Sequence, residues 1–243
     1  MLAAAIVLGA AAPSRAQDVP RMSDGKPDFS GIYTPPATVN ATGPRGNLIF
    51  NADKMAPVKP GAESLLYEAR NGDPRHDEPR AMCLPAGFPS GMLYILPIQI
   101  VQNPKSIVII PELQRAARII PTDGRPHRSG IEPSYYGDSV GHWEGDTLVI
   151  DTIALNGYTK LDTVGHPLST QGRLTQRFTR TSFGRMDYEM IVDDLKTYTR
   201  PLKLKHTWVL RPEWEIMEYS CTENNLDLIR SGVITWKRPT EVD

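Results

Sequence analysis

From Gly91 onward, short apolar or alternating segments are separated by turn signals every roughly 8–12 residues, and this rhythm constrains the fold more than any other feature of the chain. The expected strands are residues 94–102, 106–111, 117–121, 139–143, 147–152, 174–181, 187–193, 203–210, 214–221 and 232–237. Glu144-Gly145-Asp146 and Arg211-Pro212-Glu213 read as tight hairpins between neighbours in that series. No 3.6-residue periodicity persists beyond about three turns, which argues against alternating strands and helices. The expected fold is all-β, a single antiparallel barrel or strongly curved sandwich, with a calycin-like barrel among the architectures that fit. With 243 residues and 40% hydrophobic content, one domain can bury an adequate core.

The residues before Gly91 behave differently. Pro35-Pro36, Gly43-Pro44, Pro60-Gly61 and Asp73-Pro74 break up regular structure, so residues 17–90 read as an irregular arm packed on a β domain of residues 91–243. Phe29, Ile32 and Tyr33 are its apolar anchors, and residues 62–69 suit one short helix. Residues 2–12 are an uninterrupted apolar run, followed by Ser14-Arg15-Ala16, a small-x-small cleavage pattern. Residues 1–16 are therefore expected to be a signal peptide, and the mature protein periplasmic or secreted. The run is too short for a bilayer span of about 20 helical residues.

Export bears on Cys83 and Cys221, because an even cysteine count in an oxidising compartment is most simply one disulfide. Two separate free thiols are the reading that would suit a cytosolic chain. Basic residues number 27 and acidic ones 28, without a run of either sign, so a nucleic-acid partner is not expected.

Alternation separates the faces of individual strands. In residues 147–152, Leu148 and Ile150 share one side, while Thr147, Val149 and Asp151 share the other. If the apolar side is the core, Asp151 points away from it. In residues 214–221, Glu215 and Glu218 fall on opposite faces, which predicts that one of them approaches the interior.

The stretch PTDGRPHRSGIEPSYYGDSVGHWEGDTLVIDT, residues 121–152, concentrates titratable and aromatic groups where a loop meets a strand. GDSVGHWEGDTLVIDT, with TDGRPH before it and a C-x-E-N-N step at Cys221, resembles a family of exported bacterial proteins of unassigned function. That family carries a G-[RH]-W-E-G-D-T-L-V-[VI]-D-T motif. CLPAGFP around Cys83, Gly165-His166-Pro167, RFTR and DDLKTYTRP extend the resemblance from GKPDFSG to Asn225. This chain has His142, Gln176 and Thr222 where the family usually has Arg, Glu and often His. The resemblance implies export, a single domain and a shared fold, and it brings no activity with it.

His166 and His127 both lie among glycines and prolines, where no regular element consumes their ring nitrogens, and both are candidate acid–base groups. His142 and His206 read as structural. The expected catalytic set is His166 paired with Asp151 or Glu223, together with His127. Arg125, Tyr135, Tyr136, Trp143, Asn224 and Asn225 are expected to orient a small, possibly aromatic, ligand. Asp138 and Asp146 add carboxylates to the same stretch.

No HxH, HExxH or HxxxH spacing points to a metal, and neither GxGxxG nor GxxxxGK[ST] points to a nucleotide, so no cofactor is expected. Gly137-Asp138-Ser139-Val140-Gly141 matches a nucleophile elbow by letters, but a loop precedes it and a strand follows, the reverse of what an elbow needs. The functional expectation is an extracytoplasmic enzyme working by acid–base chemistry on a small organic molecule, as a lyase, isomerase or hydrolase. The competing expectation is a non-catalytic small-molecule-binding or envelope-associated module.

Overall fold

The structure, a computed structural model, describes residues 18–34, 58–61, 83–93, 96–113, 116–161, 166–221 and 223. In chain order the strands are β1 (Gly31–Thr34), β2 (Ile98–Asn103), β3 (Ser106–Pro111), β4 (Arg118–Pro121), β5 (Asp138–Glu144), β6 (Thr147–Ile153), β7 (Arg173–Ser182), β8 (Arg185–Asp193) and β9 (Leu202–Leu210). They form one nine-stranded sheet in the order β4-β3-β2-β1-β9-β8-β7-β6-β5, and every pairing is antiparallel. No helix occurs among the described residues, and hence none that is long and apolar enough to cross a membrane.

Local chemistry explains the hairpins. The Asn103 side-chain oxygen accepts the amides of Lys105 and Ser106 at 2.9 and 3.0 Å, an Asx turn that folds β2 back as β3. Gly145 takes φ 60°, a left-handed conformation without steric cost for glycine, so β5 returns as β6 through Gly145 and Asp146 alone. Asp146 then holds Arg21 through two hydrogen bonds of 2.9 and 2.6 Å, which fastens the N-terminal segment to this turn.

The two ends of the sheet come together. Gly141 of β5 sits against β4 so closely that a Cβ would lie 3.3 Å from the Ile120 methyl and 3.1 Å from that of Thr122. Arg118 of β4 reaches Ser139 of β5 from inside. The sheet is thus a nearly closed barrel, as the strand rhythm predicts. Its interior is filled by residues alternating along each strand: Leu148 and Ile150, Leu174 and Phe178, Met186, Tyr188 and Met190, Leu204 and Trp208. Tyr188 stacks on Trp208 at 4.9 Å and Phe178 meets Trp208 edge-on at 5.5 Å. Such pairs add about 0.5–1.5 kcal/mol each beyond the area they bury.

Two features depart from the sequence reading. Phe29, Ile32 and Tyr33 are buried anchors as expected, but residues 31–34 also form β1, which joins β2 to β9 and links the two halves of the sheet. Residues 214–221 form no strand. With β9 already paired to β8 and β1, no sheet edge remains beside them. They run as an irregular strap, anchored by the Arg211 amide on the Ile32 carbonyl and the Met217 amide on Glu112.

Glu215 and Glu218 are both exposed, which corrects the expectation that one approaches the interior. Glu112, which holds the strap, is itself buried, 6% exposed. Arg211 to Glu213 do turn, with the Trp214 amide on the Arg211 carbonyl at 3.2 Å. Cys83 and Cys221 form a disulfide, 5.5 Å between Cα atoms and 138 residues apart, which ties the strap to the loop entering residues 83–93. The expected helix at 62–69 and strand at 232–237 lie outside the described residues.

Candidate functional site

On β5 and β6, Asp138, Val140 and His142 share the outer face with their cross-strand partners Ile153, Asp151 and Val149. The loop between β4 and β5 lies over this face. Its Ser134 amide bonds the Ala154 carbonyl and its Ser134 carbonyl accepts the Asn156 amide, so the end of the loop runs alongside the end of β6. That placement brings His127 down between two carboxylates.

The His127 Nδ1 is 2.8 Å from Asp138 Oδ2, and its Nε2 is 2.7 Å from Asp151 Oδ2. Arg128 donates from Nε to Asp138 Oδ1 at 2.8 Å, and Arg173 donates from Nε and Nη2 to the two oxygens of Asp151, each at 2.7 Å. The result is a chain of groups, Arg128, Asp138, His127, Asp151, Arg173, across the barrel wall. The side chains of Asp138, Asp151 and His127 are 7%, 15% and 19% exposed. Burial is the largest influence on Asp138 and pushes its pKa up, but hydrogen bonds from His127 and Arg128 together outweigh it and hold the carboxyl below its usual value. A neutral imidazole has one donor, so both contacts are donated hydrogen bonds only when the ring is imidazolium.

Asp151 points outward as its alternation predicts, but its partners are His127 and Arg173 rather than His166. His166 lies half-buried where the Leu161 amide bonds its carbonyl, beside the bridge between Lys160 and Pro167. Glu223 is exposed, with its amide on the Ser220 carbonyl at 3.4 Å. Asn224 and Asn225 lie outside the described residues.

The expected ligand-orienting residues are dispersed. Arg125 is folded onto Asp123 two residues before it, and its hydrogen bonds hold the Asp123 carboxyl down to about 2. Tyr135 pairs with Tyr158 at the surface, ring centroids 6.3 Å apart. Tyr136 turns the other way and buries its hydroxyl, and burial pushes that group up to about 12. The chain bends at both residues, and the two rings do not line one surface. Trp143 is five residues beyond Asp138 along β5, roughly 16 Å at strand spacing. It packs on Phe29 at 5.3 Å rather than near His127.

The sequence reading passed over the flanking arginines, Arg128 and Arg173, and a buried polar group inside the wall. Arg118, Ser139, Thr152 and Gln176 meet there, each buried. Alternation carried a signal for them, since Gln176 falls between Leu174 and Phe178 on the apolar face of β7, and Arg118 shares a face with Ile120. His206 on β9 is partly buried, and desolvation lowers its pKa. Among the described residues no group of three or more His, Cys, Asp or Glu is placed to hold a metal ion. No family model and no curated protein matches the chain.

Proposed function

We propose that the protein is an extracytoplasmic enzyme that moves protons on a small organic molecule, with His127 as the acid–base group. The observation that carries this reading is the asymmetry of the two carboxylates on the ring. Asp138 is the more buried, receives Arg128 through both a backbone amide and the guanidinium, and orients Nδ1. Asp151 is satisfied bidentately by Arg173, so losing the Nε2 contact leaves it still paired. Nε2 is then the nitrogen that can turn to a substrate, while Nδ1 stays held. Arg173, its side chain 61% exposed, stands at this end of the chain of groups, suited to an anionic group on the substrate. Lyase, isomerase and hydrolase chemistry all use such a group. The disulfide and the leader-like start of the chain support export.

A second reading, a non-catalytic binding module, draws on the same contacts: both ring nitrogens are occupied, as in a lock that holds the loop on β5 and β6. Proton transfer separates the two even while the substrate is unidentified. The protein is incubated in deuterium oxide with a panel of small hydroxy, keto and aromatic carboxylic acids, and carbon-bound deuterium or conversion is followed by NMR. Exchange or turnover by the wild type that is absent from His127→Gln supports the enzyme. A panel untouched by the wild type, or handled equally by His127→Gln, rejects it.

A further inference from the structure

The inside of the barrel holds a positive charge that no described carboxylate meets. Arg118 is 3% exposed, and its partners are all neutral: Ser139 at 3.1 and 2.9 Å, Thr152 at 2.6 Å, Gln176 at 2.6 Å and the Met92 sulfur at 3.4 Å. The Phe88 ring centroid lies 3.9 Å from its Cζ and covers one face. Buried charges are ordinarily paired, because desolvation is costly without a counter-charge. Burial pushes this guanidinium down to about 9, which leaves it charged at neutral pH.

The surrounding hydrogen bonds are short of acceptors. One Nη1–H of Arg118 goes to Gln176, but the other meets only a thioether, a weak acceptor. The Tyr188 hydroxyl, 1% exposed, accepts from Gln176 Nε2 at 2.9 Å, and its own proton has no acceptor among the described residues. The buried Tyr136 hydroxyl likewise finds no acceptor for its proton among them. Gln176 joins the Tyr188 hydroxyl to Arg118, and the Tyr136 hydroxyl lies against Gly91 in the same segment whose Phe88 and Met92 contact the guanidinium. The Gly91 side of Tyr136 is closely packed, since a Cβ there would meet the Gly87 carbonyl at 2.8 Å and Ala86 at 3.3 Å, so the flexible Met92 side chain is the group that can give way. This part of the interior thus holds a unit positive charge and donors in excess of acceptors, with no described carboxylate bonded to the guanidinium.

We propose that the barrel interior binds a small monoanionic group, a carboxylate or a compact inorganic anion, through Arg118 Nη1 and the hydroxyls of Tyr136 and Tyr188, with the Met92 thioether displaced. The anion supplies the counter-charge and the missing acceptors together. This site lies on the opposite face of β5 and β6 from His127 and does not depend on the acid–base reading. Gln176 offers an internal control, because Gln176→Glu places a carboxylate of the same shape on Arg118 and removes the need for a ligand.

Thermal unfolding of the full protein tests this, with sodium formate, nitrate or benzoate substituted for sodium gluconate at constant ionic strength. A ligand of the native state raises the midpoint with concentration. Formate is expected to stabilise the wild type, and Gln176→Glu to need roughly tenfold more of it for the same shift. Nitrate acting as well as formate identifies an inorganic anion; benzoate acting at lower concentration identifies the carboxylate end of an organic molecule. A wild-type midpoint indifferent to all three anions overturns the proposal, as does a response that Gln176→Glu shares in full. Should that variant fail to fold, Tyr136→Phe decides, since it removes one donor and must weaken the response; an undiminished response also overturns the proposal.

Discussion

Asp138 and Ser139 are neighbours on β5 and hold different machinery on opposite sides of the barrel wall. Asp138 binds His127 from outside at 2.8 Å, and Ser139 receives Arg118 from inside at 2.9 Å. Asp151 and Thr152 repeat the arrangement on β6, with His127 at 2.7 Å and Arg118 at 2.6 Å. The period of two along a strand is what sets a solvated ionic chain back to back with a buried charge.

Because the inner group is short of negative charge, two substitutions should move stability in opposite directions. Ser139→Ala removes an acceptor that takes two guanidinium bonds and should cost about 1–3 kcal/mol. Gln176→Glu adds a counter-charge and accepts the idle Tyr188 proton, so it should gain about 1–3 kcal/mol. Urea unfolding in gluconate buffer measures both, and a destabilised Gln176→Glu would mean that Arg118 is already adequately neutralised.

Acid should weaken the fold in two separate windows. His206 titrates below its usual 6.5 because burial disfavours its charged form. The unfolded chain therefore takes up this proton first, and stability present above about pH 6.5 is lost as pH falls through the folded value. His206→Asn should flatten this limb. Asp138 is also depressed, from 3.8, through its hydrogen bonds to His127 and Arg128 outweighing burial. Its contribution is present above that pH and disappears as pH falls through its lower folded value. Asp138→Asn should remove the second limb and leave the first, as read by urea midpoints across the acid range.

The disulfide closes a loop of 138 residues. In the chain-entropy picture its removal costs up to about 5 kcal/mol, reduced by residual structure in the unfolded chain. A Cys83→Ser, Cys221→Ser double variant should lower the urea midpoint sharply, while its far-ultraviolet circular dichroism remains that of a β protein. No change in the midpoint would show that tying the strap to the loop at Cys83 contributes little to stability.

The barrel was legible where alternation or turn signals were clean. β8 carries apolar side chains at every second position and β3 and β6 hold short apolar runs between turn signals, and the structure places these strands within two residues of their expected bounds. β1 was not, because GIYT is too short for a period and its partners, Ile98 to Ile100 and Leu210, are distant in sequence. Residues 214–221 alternate as a strand would, yet pairing needs a free edge, and local sequence does not reveal whether one exists.

The same limit governs the site. Asp151 was identifiable from its face of β6. His127 and His166 have nearly equivalent surroundings of glycine and proline, and only the course of the loop over β5 decides which of them meets that carboxylate. Arg118 was overlooked because a lone arginine at a strand end reads as solvent-facing; the face it shares with Ile120 was the only local signal, and pairing with Ile109 on β3 is what fixes its inward direction.

Chemical rescue tests the central role of His127 most directly. Once a compound from the deuterium-exchange panel is in hand, its rate is measured for wild type, His127→Ala, and His127→Ala supplied with free imidazole. Loss of a positioned acid–base group should slow exchange by about 10²–10⁴-fold, and imidazole should restore part of it in proportion to its concentration. An exchange rate in His127→Ala equal to that of the wild type would contradict the assignment.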